Sequence, residues 1–478
     1  MIIPYPPPGT AGCYPESGSR LPQSKAFGGI LAALLLLSGC GFQSPVDDLA
    51  FRTPGTWAEA SSGTEGKIST GWLSDFSDAG LKRSVNEALA HNRSLKAASA
   101  RLRAAKEETI IARARQLPTL DAGTRGGATD GSGVPRIESY GLNLAASWEP
   151  DLWGRLRDLT RAVEADERAA LEDFRGARLS LAANAAKAYV NLISAEQEVD
   201  LAEVTLDSFR KNLRIIERTY KATGEGALDI QFARTNVFAA ERAVEAAKLD
   251  RGNAARTMEV LQGRYPGGQS RAASVLPELP GSVPAGIPAS MVERRPDLAA
   301  TRARLFASAK RADAARKSLL PDFSLTAGGG TAGVRLSDLL NPDFLIANIT
   351  GRVDQVLFDG GALAAGARGA LAGNDRLVNE YAQLALEAFQ EVEATLAADR
   401  SLAIQEKFLK SEVEQASLAE KQAERDYAEG VNPNILSVLE AQRRANNARA
   451  SIIRLRNQRL QNRFDLHLAL GGDFRTGG

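Results

Sequence analysis

Few residues of this chain are of a kind that does covalent chemistry. Its 478 residues include two Cys and two His. Cys13 and Cys40 cannot build a disulfide framework. His91 and His467 lie far apart on helix-like segments, which points to packing or surface roles and to no metal motif. The run Gly328-Gly329-Gly330-Thr331-Ala332-Gly333 matches G-x-G-x-x-G. A dinucleotide fingerprint needs a helix to follow within a βαβ unit, and here a strand pattern runs through the glycines. There is no nucleophile motif and no P-loop. The expected catalytic, cofactor and metal residues are therefore none. A net charge of +1 gives no bulk field for nucleic acid. One thiol is different in kind, because Cys40 ends an apolar run.

Phe27–Gly39 reads FGGILAALLLLSG, with Arg20 and Lys25 before it. At 13 residues it suits the apolar region of an export signal. A helical membrane span needs about 20 residues. The end of the run, Leu37-Ser38-Gly39-Cys40, resembles the lipobox of bacterial lipoproteins. That resemblance implies that Cys40 is lipidated and becomes the mature N-terminus, and that Cys13 leaves with the leader. Gly41, which is not Asp, fits sorting to the outer membrane.

The elements that follow are written twice. Leu95–Pro118 and Leu298–Pro321 are identical at ten of 24 positions at an offset of 203 residues. Both end in Leu-Pro and lead into Gly-rich, strand-like stretches. The copies also end alike, at Leu261-Gln262-Gly263 and Leu470-Gly471-Gly472. Copies this long are no solenoid repeat, whose period is about 20–50 residues. In copy one a helix over Trp72–Leu117, stopped by Pro118, precedes strands Thr119–Asp130 and Arg136–Trp148. The second strand alternates, with Tyr140, Leu142, Leu144, Ala146 and Trp148 on one face. Copy two places strands at Asp322–Gly330 and Leu345–Phe358, with a short helix at Leu336–Leu340 between them.

A very long helix follows each strand pair. Gly154–Thr223 would span roughly 105 Å at 1.5 Å per residue. Inside it Leu181, Ala185, Ala188, Leu192, Ala195, Val199, Ala202, Leu206, Phe209, Leu213, Ile216 and Tyr220 alternate spacings of four and three. That is a coiled-coil seam. The second long helix, Ala362–Glu429, is interrupted at the equivalent places by Asp399, Glu406 and Glu420. Three readings stay open: a different register, an acidic stripe on internal water, or charges solvated on an outer face. Turns at Thr223–Gly226 and Glu429–Pro433 lead to returning helices Leu228–Leu261 and Ile435–Leu470. Each returning helix is half as long as its neighbour, so two short helices must stack end to end beside one long one. Leu276–Pro296 carries five prolines and reads as an extended linker. The expected division is residues 1–39 leader, 40–70 tether, 71–269 first copy, 270–293 linker, 294–472 second copy and 473–478 tail.

With these pieces in place, the chain resembles the outer membrane factors of Gram-negative efflux systems, the TolC/OprM-like family, in its lipoprotein branch. The stretches that carry this are LPELPGSVPAGIPASMVERRP (Leu276–Pro296), RRPDLAATRARL with LLPDFSL (Arg294–Leu325), WEPDLWGR (Trp148–Arg155), VLFDGG (Val356–Gly361) and YAEG with ILSVLEAQ (Tyr427–Gln442). The resemblance implies a mainly α fold with membrane β. Long coiled-coil helices would form a trimeric α-barrel tunnel, and four strands per chain would contribute to a shared 12-stranded β-barrel. It implies a homotrimer in outer membrane lipid, with a periplasmic adaptor (membrane fusion) protein and an inner membrane transporter of the resistance–nodulation–division type as partners. The expected function is a passive exit duct for drugs or other small molecules. A duct for type I protein secretion is the same-family alternative, and a non-pore periplasmic coiled-coil lipoprotein is the alternative of another class.

The resemblance also places a gate at the helical tips. Glu440 falls where the family has an inner acidic ring, and Ser437 where some members have a second acid. Arg443 matches a gate position of the lipoprotein branch. Asp229 matches the acid that bonds the neighbouring tip, and Tyr427 matches one of its partners. The tip turns are marked by Gly224, Gly226, Gly430 and Pro433, the last near the place where some members carry a basic residue. Two of the acids have plainer readings. Asp229 also stands where a helix's first turn favours an acid, and Glu440 could be a solvated helix residue. Three copies of Glu440 around an axis would repel one another, favour cations and raise their own pKa values.

Mass spectrometry of the mature N-terminus checks the export reading. The expected product starts at a lipid-modified Cys40, and an unmodified product that starts elsewhere contradicts it.

Overall fold

The computed structural model describes residues 55–59, 71–224, 226–281, 283–284, 286, 288–431 and 434–473. The expected leader, lipidated Cys40, most of the tether and Pro433 lie outside these residues. The elements are α1 (Trp72–Asp75), α2 (Ala79–His91), α3 (Arg93–Ala114), β1 (Thr119–Gly131), β2 (Val134–Trp148), α4 (Arg155–Thr223), α5 (Ala227–Leu261), α6 (Pro288–Arg294), α7 (Pro296–Lys317), β3 (Asp322–Gly333), β4 (Leu345–Asp354), α8 (Ala362–Ala428) and α9 (Ile435–Ala469). Short 3₁₀ turns at Leu336–Leu340 and Pro342–Phe344 join β3 to β4.

Several expected boundaries change: Pro288–Arg294, read as part of an extended linker, is the helix α6, β2 begins at Val134 rather than Arg136, and β3 runs to Gly333 rather than Gly330. Trp72–Leu117 is three helices, because Asp78 and Asn92 each cap a new one. Asp78 accepts from the Leu81 amide (2.9 Å) and Asn92 from the Leu95 amide (3.0 Å). The last strand stops at Asp354 rather than Phe358, since its partner begins at Asp322, which pairs with Asp354 and leaves nothing beyond to bond. Asp359 then accepts the amides of Gly361 (2.8 Å) and Leu363 (2.6 Å) and turns the chain into α8. In copy one Asp151 does the same for the amides of Leu156 and Arg157.

The four strands form one antiparallel sheet in the order β1-β2-β3-β4, so a hairpin from each copy meets at β2–β3. The register sorts the side chains. Thr119 opposes Ser147, Trp148 opposes Leu325 and Ala327 opposes Ile349. One face therefore carries Leu120, Leu142, Leu144, Ala146, Trp148, Leu325, Ala327, Ile349 and Val353. The other carries Asp121, Arg125, Asn143, Ser147, Ser324, Thr326, Asn348, Thr350 and Arg352. Leu120, Leu144, Ile349 and Val353 are all exposed in the single chain. This two-sided alternation is the pattern of a strand set with lipid on one side and water on the other. Gly328–Gly333 lies wholly within β3, paired with β2 throughout and with β4 as far as Thr331, which removes it as a nucleotide loop.

The long helices run 69 and 67 residues, about 100 Å each at 1.5 Å per residue. The end-to-end stack is present in both copies. Asn92 donates its side-chain amide to the Leu261 carbonyl (2.9 Å), and at the offset of 203 Arg295 donates to the Ala469 carbonyl (3.3 Å). Gly263 sits in this joint at φ 69°, where a Cβ would meet the His91 carbonyl oxygen at 2.6 Å. The seam of α4 is turned inward: Leu181, Ala185, Ala188, Leu192 and Ile216 are buried. Near mid-length Trp72, Phe76, Phe464 and His467 pack together, with the His467 ring stacked on Trp72 at 5.6 Å. Burial, helped by Arg463, lowers the pKa of His467 to about 3. It is a neutral packing residue, whereas His91 is on the surface.

Within the chain the three acids Asp399, Glu406 and Glu420 of the second long helix turn toward its neighbour. They point at arginines of α9. Asp399 meets Arg463 (3.1 Å), Glu420 meets Arg449 (2.5 Å), and Glu406 is held by Lys410 (2.9 Å), Arg456 (3.3 Å) and Arg459. Glu406 and Glu420 are buried, so copy two replaces part of an apolar seam by an ion-pair ladder. Burial alone would raise the Glu406 pKa. The bonds and charges of Lys410 and Arg459 outweigh it and lower the value from 4.5 to about 2.

This folded pKa lies below the unfolded one. The Glu406 contribution is therefore complete above pH 4.5 and is lost as pH falls toward about 2. Glu406→Ala strands Arg459 without its partner and should cost about 3–5 kcal/mol in chemical denaturation at neutral pH. Glu406→Gln should flatten the acid limb of the stability profile. An unchanged midpoint and an unchanged acid limb would show that the ladder carries no load.

Candidate functional site

Both helical hairpins end at the same pole of the chain, and glycine makes each turn possible. Gly224 caps α4 at φ 75°, its amide donating to the Tyr220 carbonyl (2.8 Å), and Gly226 opens α5 at φ 92°. In the second turn Gly430 takes φ 72°, and the Val431 amide reaches back to the Asp426 carbonyl (2.9 Å). Left-handed φ of this kind strains any residue with a Cβ. Asn434 caps α9 through the Leu436 amide (3.0 Å).

The two tips pack into one unit. Ile216, Ile230 and Ala233 of the first hairpin meet Ile435 and Val438 of the second, with Leu213, Ala423, Tyr427 and Leu439 around them. This packing brings together two of the residues singled out from sequence. Asp229, in the first turn of α5, and Tyr427, at the end of α8, come from different copies yet share one electrostatic environment. Burial first, and the Asp229 charge second, raise the Tyr427 hydroxyl above its usual 10.0. Asp229 also lies over the turn, since a Cβ on Gly226 would approach its Oδ2 at 3.3 Å. It is therefore an acid of the helix start and an electrostatic neighbour of Tyr427 at once.

Glu440 and Arg443 are joined to each other. Glu440 accepts from Arg443 (2.8 and 2.9 Å) and from Arg444 (2.6 Å) on its own helix face. These bonds, Arg444 before Arg443, hold its carboxyl below the usual range. Within one chain each acid therefore brings two guanidinium groups with it. The cluster of Glu440, Arg443 and Arg444 carries a net +1. Ser437 is exposed one turn earlier and supplies no second acid.

Two residues of this region escaped the sequence reading. Arg444 was legible as the fourth residue after Glu440, a spacing that puts both on one helix face. Gln442 falls on the apolar seam Ile435, Val438, Gln442, Ala445, and it is 1% exposed. Its amide donates to Glu424 (2.7 Å), while its Oε1 has no partner. A polar side chain on a seam position was the available signal. Among the described residues no group of His, Cys, Asp and Glu could hold a metal ion, and the tips bring together charge and hydrogen-bonding groups rather than a nucleophile with its base.

The model of the family described as outer membrane efflux protein matches residues 84–264 and 287–472. The outer membrane protein OprJ of Pseudomonas aeruginosa is 31% identical over 470 residues, which covers 95% of this chain and 97% of that protein. The toluene efflux pump outer membrane protein TtgI of Pseudomonas putida is 28% identical, covering 92% and 97%. In three dimensions the chain is similar to the open state of the Neisseria gonorrhoeae MtrE outer membrane channel. The TM-score is 0.80 at 25% identity, with 91% of this chain and 99% of that one covered.

The Asp229–Tyr427 coupling can be measured by titrating tyrosine absorbance or a site-specific NMR label. Asp229→Asn should move the Tyr427 transition down toward the ordinary value, because a negative neighbour is removed. A transition that stays where it was would separate the two residues.

Proposed function

Because the chain belongs to the outer membrane efflux protein family, we propose that it works as a trimeric, passive exit duct with its gate at the helical tips. The observation that carries this reading is the sorting of the sheet into an apolar and a polar face with β1 and β4 left as free edges. Four strands cannot close around water, and open edges are not tolerated in lipid. Three copies supply 12 strands, enough for a closed barrel with the polar faces inside. The helices α4 and α8 continue from the same junctions, so the barrel lumen extends into a helical tunnel. The lipid on Cys40 would be a second, independent anchor beside the barrel.

Such a duct does no chemistry on its cargo. It offers a water-filled path whose selectivity is set by its narrowest ring. At the tips, three copies of Glu440, Arg443 and Arg444 would surround the axis. Asp229 and Tyr427 would hold the hairpins in the closed arrangement through hydrogen bonds between neighbouring chains. A periplasmic adaptor would release these contacts, and an inner membrane transporter would supply the energy. The cargo class is small molecules such as drugs or solvents; TtgI, 28% identical, is named for toluene.

Planar-bilayer recording tests this. The wild type should conduct poorly. Asp229→Ala with Tyr427→Phe should raise conductance, because the hydrogen bonds removed are worth about 0.5–1.5 kcal/mol each and recur in every chain. Glu440→Gln leaves Arg443 and Arg444 without their acid and should shift the reversal potential toward anions. Conductance and selectivity unchanged in both variants would place the gate elsewhere.

A further inference from the structure

The two hairpins differ in how they reverse at the end of the sheet remote from the helices. Copy one turns in two residues, Ser132 and Gly133, between β1 and β2. Copy two spends eleven, residues 334–344, although copy one shows that two suffice. The extra length is rich in large apolar side chains. Val334, Leu336, Leu340 and Phe344 are all exposed, Leu340 at 86%, as is Leu345 at the start of β4.

The connector is nevertheless folded. The Arg335 amide donates to Asp338 Oδ2 (2.9 Å) and the Asn341 amide to the Asp338 carbonyl (3.2 Å). The Asp343 amide donates to Asn341 Oδ1 (3.0 Å) and the Phe344 amide to the Asn341 carbonyl (3.2 Å). The connector is also laid against one face of the sheet. Thr331 donates its hydroxyl to the Leu339 carbonyl (2.6 Å), and a Cβ on Gly333 would collide with Asp338. Thr331 opposes Leu142 and Leu345, and Gly333 opposes Tyr140, all on the apolar face. The chain therefore folds back over the face that meets lipid, not across the polar one.

Height decides what it meets there. The apolar row of β4 runs from Val353 to Leu345, about 27 Å along the strand at about 3.4 Å per residue. At a tilt of about 40° that is about 21 Å of membrane height, against an apolar band of about 25 Å. On β2 the same face continues through Tyr140 to Glu138 and Arg136, which pair with each other (3.0 Å). The row thus leaves lipid near Tyr140, a ring suited to the boundary between membrane and water. Gly333, and with it Asp338, stands at that level. The apolar side chains of the connector supply the height that β4 lacks. Arg335, Asp338 and Asp343 keep it among the headgroups rather than in hydrocarbon, and its bonded backbone lowers the cost of lying there.

We propose that residues 334–344 form a membrane seat, a lip on the outer wall of the barrel whose Leu336 and Leu340 dip into lipid at the level of its headgroups. The occupant of this apolar surface is lipid, because the lipid-facing row of the sheet runs into it without a break. Each chain contributes one lip, in the leaflet farther from the helices. This inference rests on the barrel reading above and adds a contact that closure of the sheet does not require.

The test is spin-label accessibility in the full-length protein, reconstituted in vesicles of phosphatidylethanolamine and phosphatidylglycerol. Leu340→Cys and, separately, Leu336→Cys carry the nitroxide. Ile349→Cys is the lipid reference, Ser132→Cys the water reference, and the wild type the blank for Cys13 and Cys40. Both connector labels should collide with oxygen in preference to a water-soluble nickel chelate, at a depth between the two references. A connector label as open to nickel as the one at residue 132 would overturn the lip. A connector label shielded from both reagents would overturn it too, since a neighbouring chain rather than lipid would then cover the surface. Either result, with the label at residue 349 still closed to nickel, leaves the barrel reading standing. A label at residue 349 open to nickel would mean that the sheet is not in lipid, and would overturn the barrel reading and this one with it.

Discussion

The backbone of β1 and β4 is the constraint on which the rest depends. Each of these strands has one neighbour in the sheet, so about half of its N–H and C=O groups have no partner in the chain. In water that is a modest liability. In hydrocarbon each unpaired group costs several kcal/mol. The sum over two strands of 13 and 10 residues exceeds the 5–15 kcal/mol by which a typical domain is stable. A single chain can therefore have its sheet or its membrane, but not both. Association with further copies resolves the conflict, and the apolar row from Leu120 through Ala146 and Ala327 to Ile349 fixes which face meets lipid.

The helices inherit the geometry set at the strand ends. Asp151 and Asp359 cap the two long helices immediately after the sheet, so the spacing of the strand pairs becomes the spacing of α4 and α8. Length then imposes its own requirement: each long helix needs two shorter ones stacked beside it, and Asn92 and Arg295 knit those joints at equivalent positions. The copies diverge in how the returning helix is held. Copy one keeps Leu192 buried on its seam, where copy two has Asp399 paired with Arg463, and Glu406 follows one heptad on. A buried ion pair adds little net stability over an apolar contact, but breaking it is costly, and it penalises every register that leaves a charge alone. The second hairpin is thus defined more by registry than by cohesion, and Gln442 near its tip extends that polar seam.

Much of this was legible in the residues. The expected Gly154–Thr223 matches α4 within a residue at both ends, heptad spacing marked its seam from Leu181 to Tyr220, Pro118 announced the change from helix to strand, and the 3₁₀ turn at Leu336–Leu340 stood where the longer connector suggested it. What stayed hidden depended on partners distant in sequence. The break at Asn92 is completed by the Leu261 carbonyl, 169 residues away. The direction of Glu406 is decided by Arg459, 53 residues later, which a helical wheel of α8 alone does not contain. The end of β4 follows from the start of β3. At the tips the candidate residues were found by resemblance, but the neutralisation of Glu440 by Arg443 and Arg444 changes what charge they present.

In the assembled duct the two free strand edges are closed by copies of the same chain. Hydrogen exchange of the protein reconstituted in lipid vesicles addresses it strand by strand. Amides of residues 119–131 and 345–354 should be protected as strongly as those of β2 and β3, since every outward N–H then has a carbonyl partner on the next chain. Rapid exchange confined to β1 and β4, with β2 and β3 protected, would mean that the edges remain open and that no second copy closes the sheet.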